Sequence, residues 1–505
     1  MTPSDFSDLV LASFRQHRAH PALRVHGIEL TYEQLLAAAT EQAQRLIDEL
    51  PPGPVGILAV RSLAAYSGIL AAVLAGRAYV PLHPKFPLSR LVSMASVAGC
   101  AGIIAEAATL DTFQQLHAEL GDGWLCKDLM LCHQSAGDAE HQARGAANEG
   151  FAYILFTSGS TGNPKGIGIT PENLLAYLEH AIEAFAVRQG DRASQMFELT
   201  FDLSVHDMFV TWLGGGTLCV PPANAVMAPA RFIIDQGITH WFSVPSTAAM
   251  LSKFRMLREG AFPSLKQSLF CGEALPARIA AQWGKAAPNS TLLNLYGPTE
   301  ATIAITAHAW KPEHAVDSHR DVVPIGRPFP TQHVRIVADG IDVLPGQSGE
   351  LCLAGAQVSP GYLSNPAKTA EAFVKLDSSG EIWYRTGDLV RQDENGVIHY
   401  LGRLDSQIQL HGHRVELGEV EGAMRKVSGG RTCAVIPWPF GGTTVESIIA
   451  CVEGRGTDDD AAALRQGSAG LLPDYMVPSQ IVFVASMPLN SNGKIDRKAL
   501  PSLIS

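Results

Sequence analysis

The sequence predicts an α/β fold in two parts. Residues 1–404 form a large N-terminal domain of mostly parallel sheets flanked by helices, and residues 405–505 a small α+β C-terminal domain. Three observations lead there. Short apolar runs such as Val55–Val60 and Gly102–Ala105 alternate with stretches of helical period. These runs end in turns rich in Gly, Pro and Asn, as buried strands do. The composition changes near Asp405, leaving about 100 residues, enough for a second core.

Taken in order, Phe6, Leu9, Val10 and Phe14 recur at helical spacing behind Ser4 and Asp5, which are placed to cap a first helix. Thr31 and Gln34 form a capping box for a second helix. Val55–Val60 reads as a strand, Leu63–Leu74 as a buried helix, and Ala75–Leu82 and Gly102–Ala105 as further strands. Ser135–Gly150 is small, polar and aperiodic, a surface loop leading to the buried strand Phe151–Phe156. Thr170 caps a helix with Pro171 at its first position. Three strands then run into turns, over Thr239–Pro245, Gln267–Pro276 and Thr291–Glu300. Ligands of parallel sheets sit at the carboxyl ends of strands, so these turns are candidate binding loops. Gly349–Gly355 is a strand with alternating faces. Past Asp405, helices are expected at Val415–Lys426 and at a capped Asp458–Gln466, and strands at Arg431–Ile436, Val445–Val452 and Gln480–Val484. There is no internal repeat.

Composition removes several function classes. The net charge of −11 argues against a nucleic-acid partner, which calls for a basic face. Eight cysteines without a C-x-x-C pair read as buried thiols in a reducing compartment. The N-terminus carries acids where a secretory signal would be basic, and the longest apolar run, Gly68–Gly76, is too short to span a bilayer. A cytoplasmic protein without a membrane partner is the expectation.

Chemistry concentrates after Phe151–Phe156, where the apolar run gives way to Thr157-Ser158-Gly159-Ser160-Thr161-Gly162-Asn163-Pro164-Lys165-Gly166. Its glycines let backbone N–H groups converge, its hydroxyls donate, and Lys165 adds a positive charge, which suits nucleotide phosphates. The spacing is not that of a Walker A loop, because Pro164 precedes the lysine and Gly166 follows it.

This order of residues resembles the phosphate loop of the adenylate-forming enzymes: acyl-CoA synthetases, luciferases and the adenylation domains of nonribosomal peptide synthesis. The remaining motifs of that family follow in order as far as Leu500. The resemblance implies ATP and Mg²⁺ as cofactors, formation of an acyl-adenylate with release of pyrophosphate, and passage of the acyl group to a thiol. It also implies roles by matching position. Thr157, Ser158, Gly159, Ser160, Thr161, Gly162 and Lys165 would cradle the β- and γ-phosphates. Asn294 and Tyr296 would meet the adenine, with Gly272, Glu273 and Ala274 lining it. Thr299 would touch the α-phosphate and Glu300 would hold Mg²⁺. Asp388 would grip the ribose hydroxyls with help from Arg403, and Lys494 would be the catalytic lysine. Asp405 sits at the family's hinge, about which the small domain is mobile.

Asp202 marks the branch. It matches the aspartate that pairs with the ammonium of an amino acid, with a helix cap as the lesser reading when it is taken alone. The family's pocket positions fall on Asp202, Leu203, His206, Ser243, Leu269, Cys271, Leu295, Ile303 and Ala304, with Lys494 at the polar end. That lining offers no second acid and no other cation, so a charged side chain is disfavoured. Proline or another small neutral amino acid is the expectation, with serine and threonine left open by His206. The stretch Ser406–Arg414, which the resemblance places facing the site in the thiol-transfer state, departs from the branch, carrying Gln409 and His411 where Lys and Arg are usual. The sequence ends shortly after the Lys494 motif with no carrier segment, so a phosphopantetheinylated carrier protein in trans is the expected acceptor. CoA as acceptor, or an inactive nucleotide-binding scaffold, are the alternatives.

Overall fold

A nine-stranded sheet carries the three strand ends picked out above. His240–Ser243, Gln267–Phe270 and Thr291–Tyr296 lie side by side in parallel, with Phe242 opposite Leu269 and Leu269 opposite Leu293. The computed structural model describes residues 3–120, 125–128, 150–159, 164–222, 228–311, 321–441, 445–489 and 495–504. The expected surface loop up to residue 149, the loop residues Ser160, Thr161 and Gly162, and Lys494 lie outside the described residues.

A second sheet of six strands runs parallel through Gly102–Ala105, Val55–Leu58, Tyr79–Leu82 and Tyr153–Thr157. Lys165–Ile169 closes its edge antiparallel to Tyr153–Thr157, so the two strands flank the candidate phosphate loop. The helix Leu63–Leu74, apolar nearly all round, is buried along almost its whole surface in the core shared by these sheets. A third sheet is wholly antiparallel in its pairings and includes Gln332–Ala338, Ser348–Gly355, Trp383–Gln392 and Ile398–Arg403. The strand expected at Gly349–Gly355 belongs to it, but not with one face in solvent: Leu351 and Leu353 enter the main core while Cys352 and Ala354 pack with Trp383 on the other side.

Local signals are followed closely. Thr31 with Gln34, and Thr170 with Asn173, make reciprocal capping boxes. Thr457 and Asp460 do the same for the helix Asp458–Ala469. At the N-terminus the expectation fails by a few residues. The helix starts at Pro3, whose fixed φ suits a first helical position, so Ser4 and Asp5 lie inside its first turn rather than ahead of it. Phe6, Val10 and Phe14 face the core, while Leu9 is exposed.

Beyond Asp405 the first element is a hairpin, Gln407–Leu410 paired with His413–Glu416. The expected helix start at Val415 is therefore wrong: Val415 and Glu416 end a strand, and the helix runs Leu417–Val427. The two-residue turn has φ of 50° at His411 and 84° at Gly412, both positive as a type I′ turn requires. A three-stranded sheet of Cys433–Trp438, Ser447–Glu453 and Gln480–Val484 completes a separate small core. Among the described residues no helix is long and apolar enough to cross a membrane.

Candidate functional site

At the carboxyl ends of the parallel strands lies a cavity of about 100 Å³. Asp202, Leu203, Cys271 and Leu295 line one part of it, and Gly272, Tyr296, Asp388 and Arg403 another. Asp202 stands at the N-terminus of the helix Leu203–Leu213 but makes no side-chain cap bond there, so the helix-cap reading does not hold. Burial pushes its carboxyl up to about 7, against a hydrogen bond from Thr299 that lowers it. A buried carboxylate of this kind calls for a cation.

The remaining pocket positions, His206, Ser243, Leu269, Ile303 and Ala304, are not among the residues that line this cavity. Leu269, Ile303 and Ala304 are buried in the main core. His206 packs against Phe242 with ring centroids 4.7 Å apart, and its Nδ1 lies 2.6 Å from the Tyr177 hydroxyl. Burial lowers His206 to about 3, so the imidazole is neutral. Ser243 is not part of this group. Side chains alternate along a strand, and its hydroxyl accepts a bond from Trp241 Nε1 at 2.9 Å in the neighbouring core. Phe242 takes the inward position instead, in the cluster that also holds Leu269 and Cys271.

On the nucleotide side, Asp388 accepts from the Tyr296 hydroxyl at 2.5 Å and from Arg403 Nη1 at 2.7 Å. Burial raises its carboxyl and Arg403 opposes the rise. Arg403 also forks onto both oxygens of Asp405 at 2.7 Å, tying the junction residue to the ribose candidate. Asn294 spends its amide nitrogen on the carbonyls of Val323 and Pro324, leaving a buried Oδ1 without a partner among the described residues. That acceptor fits the exocyclic amine of adenine. Ala274 lines the cavity beside Glu273, whose carboxylate is committed to Ser246 N and Gly412 N, both at 2.8 Å.

The phosphate side is covered by the small domain's hairpin, the stretch that the resemblance turns toward the site in the thiol-transfer state; the individual contacts it makes were not legible in the sequence. Ser158 donates to the carbonyl of Arg414 at 2.7 Å, and Gly159 N donates to Glu419 Oε2 at 3.1 Å. Lys165 pairs with Glu416 at 3.3 Å. Thr157, at the end of its strand, lines a smaller cavity with Thr299 and Arg414. Glu300 is fully buried, and Arg414 Nη1 lies 3.0 Å from both its oxygens while Tyr362 donates at 2.7 Å. Burial alone would raise Glu300, but Arg414 and Tyr362 more than offset it and hold the carboxyl below its ordinary value. The amide nitrogen of Gln409, oriented to donate, lies 3.3 Å from the carbonyls of Gly272 and Gly412.

Glu416, Glu419 and Arg90 thus border the candidate site although sequence reading passed over them, as it did the pairing of Arg414 with Glu300. The one local signal was His411-Gly412 between alternating residues, a hairpin turn pattern. The residues flanking Lys494 bond within the small domain: Asp496 N donates to the Pro488 carbonyl, and Arg497 pairs with Glu421 at 2.7 Å.

Three comparisons bear on this arrangement. The AMP-binding enzyme family profile matches residues 11–363, and that of the AMP-binding enzyme C-terminal domain matches residues 419–494. The D-alanine–D-alanyl carrier protein ligase of Bacillus cereus (strain ZK / E33L) is 33% identical over 486 residues, covering 94% of each chain. The Vibrio cholerae adenylation domain AlmE, solved with glycyl-adenosine-5′-phosphate, is 31% identical with a TM-score of 0.86, covering 98% of this chain and 97% of its own. Holo-PA1221, a nonribosomal peptide synthetase protein with adenylation and carrier domains, is 26% identical with a TM-score of 0.81, covering 98% of this chain and 84% of its own.

Proposed function

The chain belongs to the AMP-binding enzyme family of adenylate-forming ligases, and from that we propose that it activates a small neutral amino acid and transfers it to a carrier protein. ATP supplies the adenylyl group, and the aminoacyl-adenylate is attacked by the phosphopantetheine thiol of the carrier. The observation that carries this reading is Asp202, a buried carboxylate in the cavity wall set to pair with a substrate ammonium.

The relatives sharpen the substrate. One is named for D-alanine and one holds a glycyl adenylate, both smaller than the proline suggested by the pocket residues alone. The cavity of about 100 Å³ is shared between amino acid and nucleotide, and Leu203, Cys271 and Leu295 narrow it. We therefore read glycine or alanine, in either hand, as the preferred substrate, ahead of proline.

Asp388 and Arg403 serve the ribose, Asn294 and Tyr296 the adenine, and Thr299 the α-phosphate. Among the described residues Glu300 is the one fully buried carboxylate, and as a hard oxygen ligand it suits Mg²⁺. Here the guanidinium of Arg414 engages both of its oxygens, so metal binding at Glu300 requires the hairpin to withdraw. The arrangement described here then belongs to thiol transfer, and adenylation to a second orientation reached by rotation at Asp405, which brings Lys494 to the site. Residues 1–404 and 405–505 are the two bodies of that rotation.

Exchange of labelled pyrophosphate into ATP, run over glycine and both enantiomers of the standard amino acids, tests the reading. Glycine or alanine should lead, with neighbours one methylene larger weaker by about 10- to 200-fold. Exchange supported only by an aryl or fatty acid would show that the role given to Asp202 is wrong. Loading of a phosphopantetheinylated carrier against formation of an aminoacyl-CoA decides the acceptor.

A further inference from the structure

We propose that Gln357 is a positioning residue for the amino-acid pocket: it holds the turn Glu300–Ala304 in the conformation that sets the pocket's far wall. The proposal rests on the reading of the cavity wall at Gly297, behind which Ile303 and Ala304 lie, as bounding the substrate side chain.

The turn is unusual in its backbone. Thr302 and Ile303 have φ of 56° and 72°. Both are β-branched, and β-branched residues rarely occupy this region unless their surroundings impose it. Directly before them the short 3₁₀ turn Thr299–Ala301 carries the α-phosphate and metal candidates. Directly after them the chain folds against Gly297, where an added Cβ would lie 2.6 Å from Ala304 Cα.

The reversal gathers three carbonyls around one point. Gln357 Nε2 meets them, at 3.2 Å from Ala301, 3.2 Å from Thr302 and 2.7 Å from Ala304. The hold is reciprocal, since Thr302 Oγ1 donates to the Gln357 carbonyl at 2.6 Å. Gln357 is itself fully buried and fixed: its N–H donates to Gln332 Oε1 at 3.2 Å. On either side of it, the carbonyls of Ala356 and Val358 accept from Asn173 Nδ2. Two residues on, Ser359 N donates to the Glu300 carbonyl at 2.8 Å, so the same segment braces both ends of the turn. Without the carboxamide, the buried carbonyls of Ala301 and Ala304 lose their donor, that of Thr302 keeps only Ala304 N at 2.9 Å, and the left-handed pair loses what imposes it. The turn then relaxes, and Ile303 and Ala304 withdraw from behind Gly297, a residue of the cavity wall. The ribose and adenine candidates, Asp388, Tyr296 and Asn294, are not held by Gln357.

The test is Gln357→Met, which keeps length and removes the donor. In the exchange assay the KM for the preferred amino acid should rise about tenfold or more while the KM for ATP stays within about twofold. The preference for that amino acid over the next larger one should narrow by about the same factor. A lowered melting temperature with unchanged KM values and unchanged selectivity overturns the proposal, because it reduces Gln357 to a packing residue. Should Gln357→Met fail to fold, Thr302→Val removes one arm of the hold at constant shape. It should move selectivity in the same direction by a smaller factor, and unchanged selectivity there also overturns the proposal. An amino-acid panel inactive with the unaltered enzyme would instead refute the underlying function, a result distinguishable from either.

Discussion

Replacing Glu419 by alanine should separate the two half-reactions. In the docked arrangement Glu419 and Arg90 are both buried, with Arg90 Nη1 2.7 Å from Glu419 Oε1, and the second oxygen accepts from Gly159 N at 3.1 Å. Burial raises the Glu419 carboxyl and Arg90 opposes the rise, so the pair is a desolvated one. Removing one partner of such a pair leaves a buried charge uncompensated, at about 3–5 kcal/mol. When the small domain swings away, Arg90 returns to water and the missing partner carries no such penalty. The docking equilibrium should therefore shift by about two to three and a half powers of ten against the docked orientation. Single-turnover transfer from preformed aminoacyl-adenylate to a carrier thiol should fall by about a hundredfold or more, while pyrophosphate exchange stays within about twofold. A spin-label pair with one label on each domain should report loss of the docked distance. Equal loss in both half-reactions, or normal transfer with normal docking, would refute the assignment of this contact to thiol transfer.

Three further outcomes follow from the same geometry. Asp202 titrates at about 7 when no ammonium faces it, and only its ionised form pairs with substrate. The amino-acid KM should therefore be flat just above that pH and rise about tenfold per unit as the pH falls below it, a dependence that Asp202→Asn should lose. Gly297→Ala sets a Cβ 2.6 Å from Ala304 Cα, against backbone. It should destabilise the large domain by about 1–3 kcal/mol and raise the amino-acid KM, as read by denaturant unfolding and exchange kinetics. Lys494→Ala should slow adenylate formation by on the order of a hundredfold while ATP binding, measured by calorimetry, persists; near-normal exchange would remove Lys494 from catalysis.

What the sequence determined by itself was local. Capping boxes at Thr31 and Thr170 start helices where they were expected, because an N-cap and its partner lie three residues apart and need no tertiary context. The strands Gly102–Ala105 and Gln480–Val484 and the helix Leu63–Leu74 have the expected bounds for the same reason: their apolar periods are complete within a dozen residues. The ordered motifs likewise pointed to nucleotide chemistry before any contact was known. Errors began where two periods meet. Val415 continues a helical pattern forward and a strand pattern backward, and only pairing with Ile408 decides between them. Ser243 was assigned by position along the chain, yet parity of the strand turns it toward Trp241 and sends Phe242 inward. The largest gap is the docked hairpin. Arg90 and Glu419 are 329 positions apart, and Ser158 and Arg414 are 256 apart. Neither ion pairing nor hydrogen bonding at such separation leaves a periodic trace in the chain, since the partners meet only after each domain has formed its own core and the two have come together. That Arg414 faces Glu300 in this arrangement was decided by tertiary structure alone.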